Sequence, residues 1–180
     1  MPIINRIADF HPEMTRWRHQ IHAHPETAFE EHKTAAFVAE RLESFGITVE
    51  RGIAGTGVIG TLRGSAEGRR AIALRADMDG LHIDEQNAFS HASQERGRMH
   101  ACGHDGHTAM LLGAAKHLAE TRNFAGTIHF IFQPCRGERR RRAGHDRGRT
   151  SSKSIRSTPS LACTIGRKCR PGGSRSSPDR

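Results

Sequence analysis

Apolar residues recur at three- and four-residue spacing near the start of the chain. Ile7, Phe10, Met14 and Trp17 line one face, and the period predicts a helix from about Ile4 to His22. His24-Pro25 ends it, because proline pushes the preceding residue out of the helical region. A second helix is predicted from about Ala28 to Phe45, with Ala36, Phe37, Ala39 and Leu42 as its apolar face and Gly46 as its stop. Residues 47–50 read as a short strand, and GTGVIGTLRG (55–64) as a strand punctuated by glycine. After the turn GSAEG, the apolar stretch RAIALR (70–75) reads as a buried strand that runs into a polar segment at 76–79. An irregular stretch spans Gly80 to Gly103. The helical period then returns from His104 to Glu120, with Ala109, Leu111, Leu112, Ala115 and Leu118 on one face. GTIHFIF (126–132) is a further buried strand. Strands alternating with helices predict an α/β fold on a largely parallel sheet.

This patterning stops at Pro134. The last 46 residues hold 8 hydrophobic residues among Arg, Ser, Gly and Pro, too few to offset the entropy of ordering them. The expected organisation is a structured part over residues 1–134 and a disordered basic tail over 135–180.

Charge divides at the same place. The whole chain carries a net +9, which would ordinarily point to nucleic acid or an anionic membrane surface. Through Pro134, however, 14 basic residues face 16 acidic ones, whereas the tail has 14 basic and 3 acidic. The tail lacks aromatic residues for base stacking and any recognisable nucleic-acid motif, so a nucleic-acid partner is not expected. Of four cysteines, only Cys102 lies in the first part, and no disulfide framework is visible. The N-terminus has neither the apolar run nor the cleavage pattern of a signal peptide, and nothing approaches a membrane span. The expected location is cytoplasmic, with no membrane partner.

The candidate chemistry lies in two segments. In MHACGHDGH (99–107), Cys102 and His104 flank one glycine where a loop enters a helix. A thiolate and an imidazole so spaced can converge on one borderline-soft divalent ion. His107 lies one turn beyond His104 on the same face. In LRADMDG (74–80), Asp77 and Asp79 follow a buried strand directly, at the end where open α/β sheets place their ligands. Two carboxylates there suit metal binding or the orientation of a metal-bound histidine. The plainer alternatives are a free cysteine beside surface histidines and a polar turn capping a strand. A zinc module recruiting Cys163 or Cys169 is a further alternative, but the spacing from Cys102 is long and irregular.

ALRADMDGLHIDEQNAFSHAS, GRMHACGHDGHTAMLLGAAKHLAE and FAGTIHFIFQP, with the earlier HQIHAHPETAFEEHKTAAFVAERL, resemble the N-terminal half of a metal-dependent amidohydrolase family. That family contains hippurate hydrolase, N-acyl-L-amino-acid amidohydrolases and plant auxin-conjugate hydrolases. The resemblance covers roughly three quarters of the chain. It implies part of the catalytic domain of a dinuclear metallopeptidase-like fold, whose intact members are homo-oligomers built through an inserted dimerisation domain that this chain lacks. It implies two divalent ions per site (Zn, Mn, Co or Ni) and small N-acyl amino acid substrates. Cys102 and His104 are then metal ligands, Asp79 supports the cluster from behind, and Asp77 and His107 are site neighbours. Gly80 and His82 depart from the family's usual Ala and Pro.

The implied reaction is metal-assisted amide hydrolysis, in which a Glu takes a proton from a metal-held water and passes it to the leaving amine. That Glu and a metal-binding Glu normally follow FQP as Ala-Glu-Glu. Here the chain reads Cys135-Arg136-Gly137, with Glu138 one residue too late, and the family's later ligands have no counterpart in 135–180. One T inserted before GCC GAG GAG turns Ala-Glu-Glu into TGC CGA GGA, which is Cys-Arg-Gly. The tail therefore reads as a frameshifted continuation, and this polypeptide is expected to be truncated and inactive. The non-enzymatic alternative is a fragment whose basic tail binds nucleic acid.

Overall fold

A computed structural model describes residues 5–134. The disorder expected of residues 135–180 lies outside the described residues, as does Ile4. The elements run α1 (Asn5–Asp9), α2 (His11–Ala23), α3 (His32–Ser44), β1 (Thr48–Ile53), β2 (Gly57–Arg63), β3 (Ala66–Asp77), α4 (His104–Thr121) and β4 (Ala125–Gln133).

The first predicted helix is two. Pro12 has no N–H to continue a helix from α1, so the chain turns at Phe10 and α2 restarts with proline in its first turn. The second begins at His32, later than expected. Residues 25–31 form an irregular turn in which Phe29 takes a positive φ of 62° and Thr27 bridges to Gly80. Glu26, buried there, accepts hydrogen bonds from the backbone N–H of Lys33 (3.0 Å) and Thr34 (2.8 Å). Its carboxylate thus satisfies the opening donors of α3, a role that apolar spacing does not reveal.

The sheet has the order β1-β2-β4-β3. The β1–β2 and β2–β4 pairs are antiparallel, and β3–β4 is parallel. This corrects the expectation of a largely parallel sheet. Only three residues separate β1 from β2, a length that permits a hairpin and no crossover. The one crossover, from β3 through α4 to β4, gives the parallel pair.

The helices cover one face of the sheet. Phe37, Val38 and Leu42 of α3 and Leu111, Leu112 and Ala115 of α4 meet Val58, Leu62, Phe130 and Phe132 in one cluster that also holds Trp17 and Met78. Buried and half-buried residues alternate along β4, as a strand with one covered face requires. The helical period had placed Ala109, Leu111, Leu112 and Ala115 inward, and they are buried. Among the described residues no helix is long and apolar enough to cross a membrane.

Replacing Glu26 with Ala should cost about 1–3 kcal/mol, because the buried Thr34 N–H and the part-buried Lys33 N–H lose their acceptor. Urea unfolding of the full chain measures this, and a change under about 0.5 kcal/mol, the range of ordinary surface substitutions, would show that the turn finds other acceptors.

Candidate metal centre

Strand β3 ends at Asp77, and the parallel pairing sets Asp77 opposite Gln133 at the end of β4. The chain leaves the sheet there: Met78 donates its N–H to Gln133 O (3.1 Å), and Gly80 donates to Glu26 O (2.7 Å). Residues 81–99 form an irregular loop closed by a Leu81–Met99 bridge. Gly103 then turns the backbone into α4 at φ 82°, a left-handed conformation that favours glycine. Helix α4 therefore starts beside the end of β3. Thr108 Oγ1 donates to Asp77 O at 3.1 Å and ties the two together.

This junction brings the candidate side chains to one place. His104 Nδ1 lies 2.9 Å from both Asp79 Oδ1 and Asp79 O. Both partners are acceptors, so Nδ1 carries the proton, and Nε2 is directed to the side where Asp77 Oδ2 stands at 3.8 Å. His107 Nδ1 is 2.8 Å from Asp77 Oδ1, and the two imidazole rings are 5.5 Å apart. One ligand atom from each of Asp77, His104 and His107 lies within 4.8 Å of the others. A carboxylate and two imidazoles suit zinc and its first-row neighbours. Asp79 stands behind His104 as carboxylates commonly stand behind metal-bound histidines, fixing the tautomer and the ring.

The charges act in the same sense. The hydrogen bond to Asp79 raises His104 above the ordinary imidazole value; burial opposes it, and the charge of Asp77 adds to it. Burial works to raise Asp77, but the hydrogen bond with His107 and the charges of His104 and Arg75 hold it below the usual carboxylate range. Arg75 also bonds Gln133, so it joins the ends of β3 and β4 beside the cluster.

The five residues singled out in the sequence are thus not all placed alike. Asp77, His104 and His107 converge, with Asp79 in support. Cys102 is exposed in the turn before Gly103, and its thiol is outside the converging group. His107, read as a neighbour, stands as close to the centre as His104 does. Sequence reading passed over Arg75, and it passed over a buried network behind the start of α4 that joins His22, Glu85 and Asp105. Nothing in the apolar period of α2 pointed to His22, which is buried because the last turn of the helix is covered on more than one side.

A metal competes with the second proton, on Nε2, that His104 takes up when it becomes charged. Divalent-ion affinity should therefore fall as pH drops through the raised His104 value, with the loss beginning above the ordinary imidazole range. Zinc titrations across that range check this, and an affinity independent of pH would show that His104 is not displaced.

Residues 73–135 match the family described as Peptidase family M20/M25/M40. The chain is 49% identical over 132 residues to an N-acyl-L-amino acid amidohydrolase of Geobacillus stearothermophilus, which covers 72% of this chain and 35% of that one. It is 46% identical over 134 residues to a hippurate hydrolase of Campylobacter jejuni, with 74% and 34% covered. Its fold matches the crystal structure of a dinuclear metal-binding peptidase of the M20 family from Bacillus subtilis. There the TM-score is 0.67, the identity 41%, and the cover 71% of this chain and 36% of that chain. The chain thus spans about a third of the length of the curated relatives it matches. With the β3–α4 junction inside the matched region, the N-terminal part of this chain belongs to Peptidase family M20/M25/M40.

Proposed function

We propose that residues 1–134 carry the front part of a metal-dependent amidohydrolase site for N-acyl amino acids of the hippurate type. The observation that carries this reading is the convergence of Asp77, His104 and His107 at the strand–helix junction, with Asp79 orienting His104. The named activities of the amidohydrolase and hippurate hydrolase relatives, similar over this same region, support the substrate class.

The donors present fit a divalent ion. His104 and Cys102 would hold it in this reading: Cys102 lies two residues before His104 in an exposed turn, and a thiolate and an imidazole are both ligands of such ions. Asp77 and His107 would lie beside such an ion, and Asp79, bonded to His104 Nδ1, would leave the Nε2 lone pair free for it. When bound, such an ion supplies a water of lowered pKa and polarises the acyl carbonyl. The groups that would move the proton are missing from the sequence. Arg136 and Gly137 stand where the resembling enzymes carry a Glu pair, and Glu138 is displaced by one residue. Loss of a general base alone costs roughly 10²- to 10⁴-fold in rate. This polypeptide is therefore proposed to bind metal and to hydrolyse little or nothing. A cytoplasmic setting belongs to the same proposal, since the Cys102 thiol is free and stays reduced there.

The test is made at the nucleotide level. Sequencing the gene around the codons of Pro134 and Cys135, and deleting one nucleotide there, should yield an in-frame Glu pair. The restored product should hydrolyse N-benzoylglycine with added zinc or manganese, and the chain as it stands should not. A restored product without that activity, or the absence of a Glu pair in either shifted frame, would overturn the reading.

A further inference from the structure

His22 is buried at the end of α2, and both of its ring nitrogens face carboxylates. Nδ1 is 2.9 Å from Asp105 Oδ2, and Nε2 is 3.1 Å from Glu85 Oε1. An ionised carboxylate only accepts. A neutral imidazole offers one N–H and one lone pair, so it would turn that lone pair on one of the two acids. The geometry is satisfied only when both nitrogens donate. Both acids accept from further donors, which favours their ionised forms, although Asp105 Oδ1 has no hydrogen-bond partner among the described residues. Asp105, fully buried, also accepts from Arg18 Nε at 3.0 Å. Glu85 also accepts from Asn87 Nδ2 at 2.9 Å and from the Ser93 N–H at 2.5 Å. The result is a charge-balanced set in which two cations, His22 and Arg18, face two anions.

The set joins two segments. Glu85 lies in the 81–99 loop, and Asp105 is in the first turn of α4, between His104 and His107. The loop has other anchors, among them the Arg98–Glu30 ion pair (3.1 Å) and His24 Nδ1 at 3.9 Å from Glu95 Oε1, but these reach the stretch between α2 and α3 and not α4. Gln94 donates its N–H to Ala23 O, and His91 is stacked between His19 (3.6 Å between centroids) and Phe89 (4.2 Å). Helix α4, for its part, has no side-chain cap at Gly103. Asp105 is thus what holds its first turn from the α2 side.

We propose that His22 is a positioning residue for the metal centre: as an imidazolium bridging Glu85 and Asp105, it locks the 81–99 loop onto the start of α4 and so sets His104 and His107 against Asp77. This rests on the reading of Asp77, His104 and His107 as a metal centre. The groups facing His22 are Arg18 from its own helix, Glu85 and His91 from the loop, His100 just after the loop, and Asp105 from α4. Burial works against the charged ring, but the bonds to Glu85 and Asp105 outweigh it, and His22 is raised above its ordinary value. Glu85 is held down to about 2, and Asp105 is also lowered, although burial opposes both. His100, buried and without a partner for either ring nitrogen, is pushed down to about 4 and adds no charge near neutral pH. The clamp is therefore complete below the ordinary imidazole range and is lost as pH rises through the raised His22 value.

The full chain is used for the test. Nitrogen-15 spectra of the metal-free protein should show both His22 ring nitrogens still protonated above the ordinary imidazole value. His22→Gln should weaken zinc binding by roughly 10- to 100-fold, the usual effect of losing a group that supports a ligand. It should also speed amide exchange in residues 82–98 and 104–108 together, with helix content unchanged. Where His22→Gln does not fold, Glu85→Gln touches only the loop side of the clamp and should weaken zinc binding in the same sense. Zinc affinity unchanged in the variant that folds would overturn the proposal, as would a His22 ring found neutral at and below its ordinary range. Failure of the metal-centre reading looks different: the unmodified chain then binds no zinc, and the positioning role falls with it.

Discussion

The structure depends on one junction, where the last residues of β3 meet the first turn of α4. Thr108 bonds the Asp77 carbonyl, and Asp79 bonds His104 through both its carboxylate and its backbone oxygen. These contacts join residues about thirty positions apart, across a loop with no regular structure of its own. They hold because the elements behind them are rigid. β3 is paired along β4, and α4 is packed through Leu111, Leu112 and Ala115 onto the buried face of the sheet. Charged and imidazole groups can stand close together there because backbone and side-chain partners already satisfy them.

Where local physics decides an element, the sequence was legible. α4 and β4 follow from hydrophobic period alone, since each has one face buried against the same core. The placement of Asp77 and Asp79 just beyond an apolar run could also be read. The expectation that this strand is buried is corrected: residues 70–72 are exposed, 73–75 half-buried, and only Ala76 is buried, because the helices cover only one face of the sheet. The rest depended on distant partners. The late start of α3 is set by Glu26, which caps it from seven and eight residues upstream. The mixed sheet follows from the short β1–β2 connection, which the strands read at 47–50 and 55–64 already implied and the alternation of strands and helices obscured. His22, Glu85 and Asp105 are separated by more than sixty and eighty residues, and nothing in their neighbours announces that they meet.

The site read in the sequence and the site in the structure differ in emphasis. The motif drew attention to Cys102 and His104, whereas the fold draws His104 to Asp77 and His107 and leaves Cys102 in the exposed turn. The two pictures share His104, held by Asp79. That residue is the hinge of the account: its position needs only β3, the loop and α4, all of which lie before Pro134. Beyond that point this chain carries Cys135, Arg136 and Gly137.

Cobalt absorption of the full chain tests the central claim most directly. The account predicts that one bound Co²⁺ gives visible ligand-field bands together with a near-ultraviolet thiolate charge-transfer band. Cys102→Ser should remove the second feature, and Cys102→Ser combined with His104→Ala should remove both. Cobalt bound equally tightly, with an unchanged spectrum, by that double variant would contradict it.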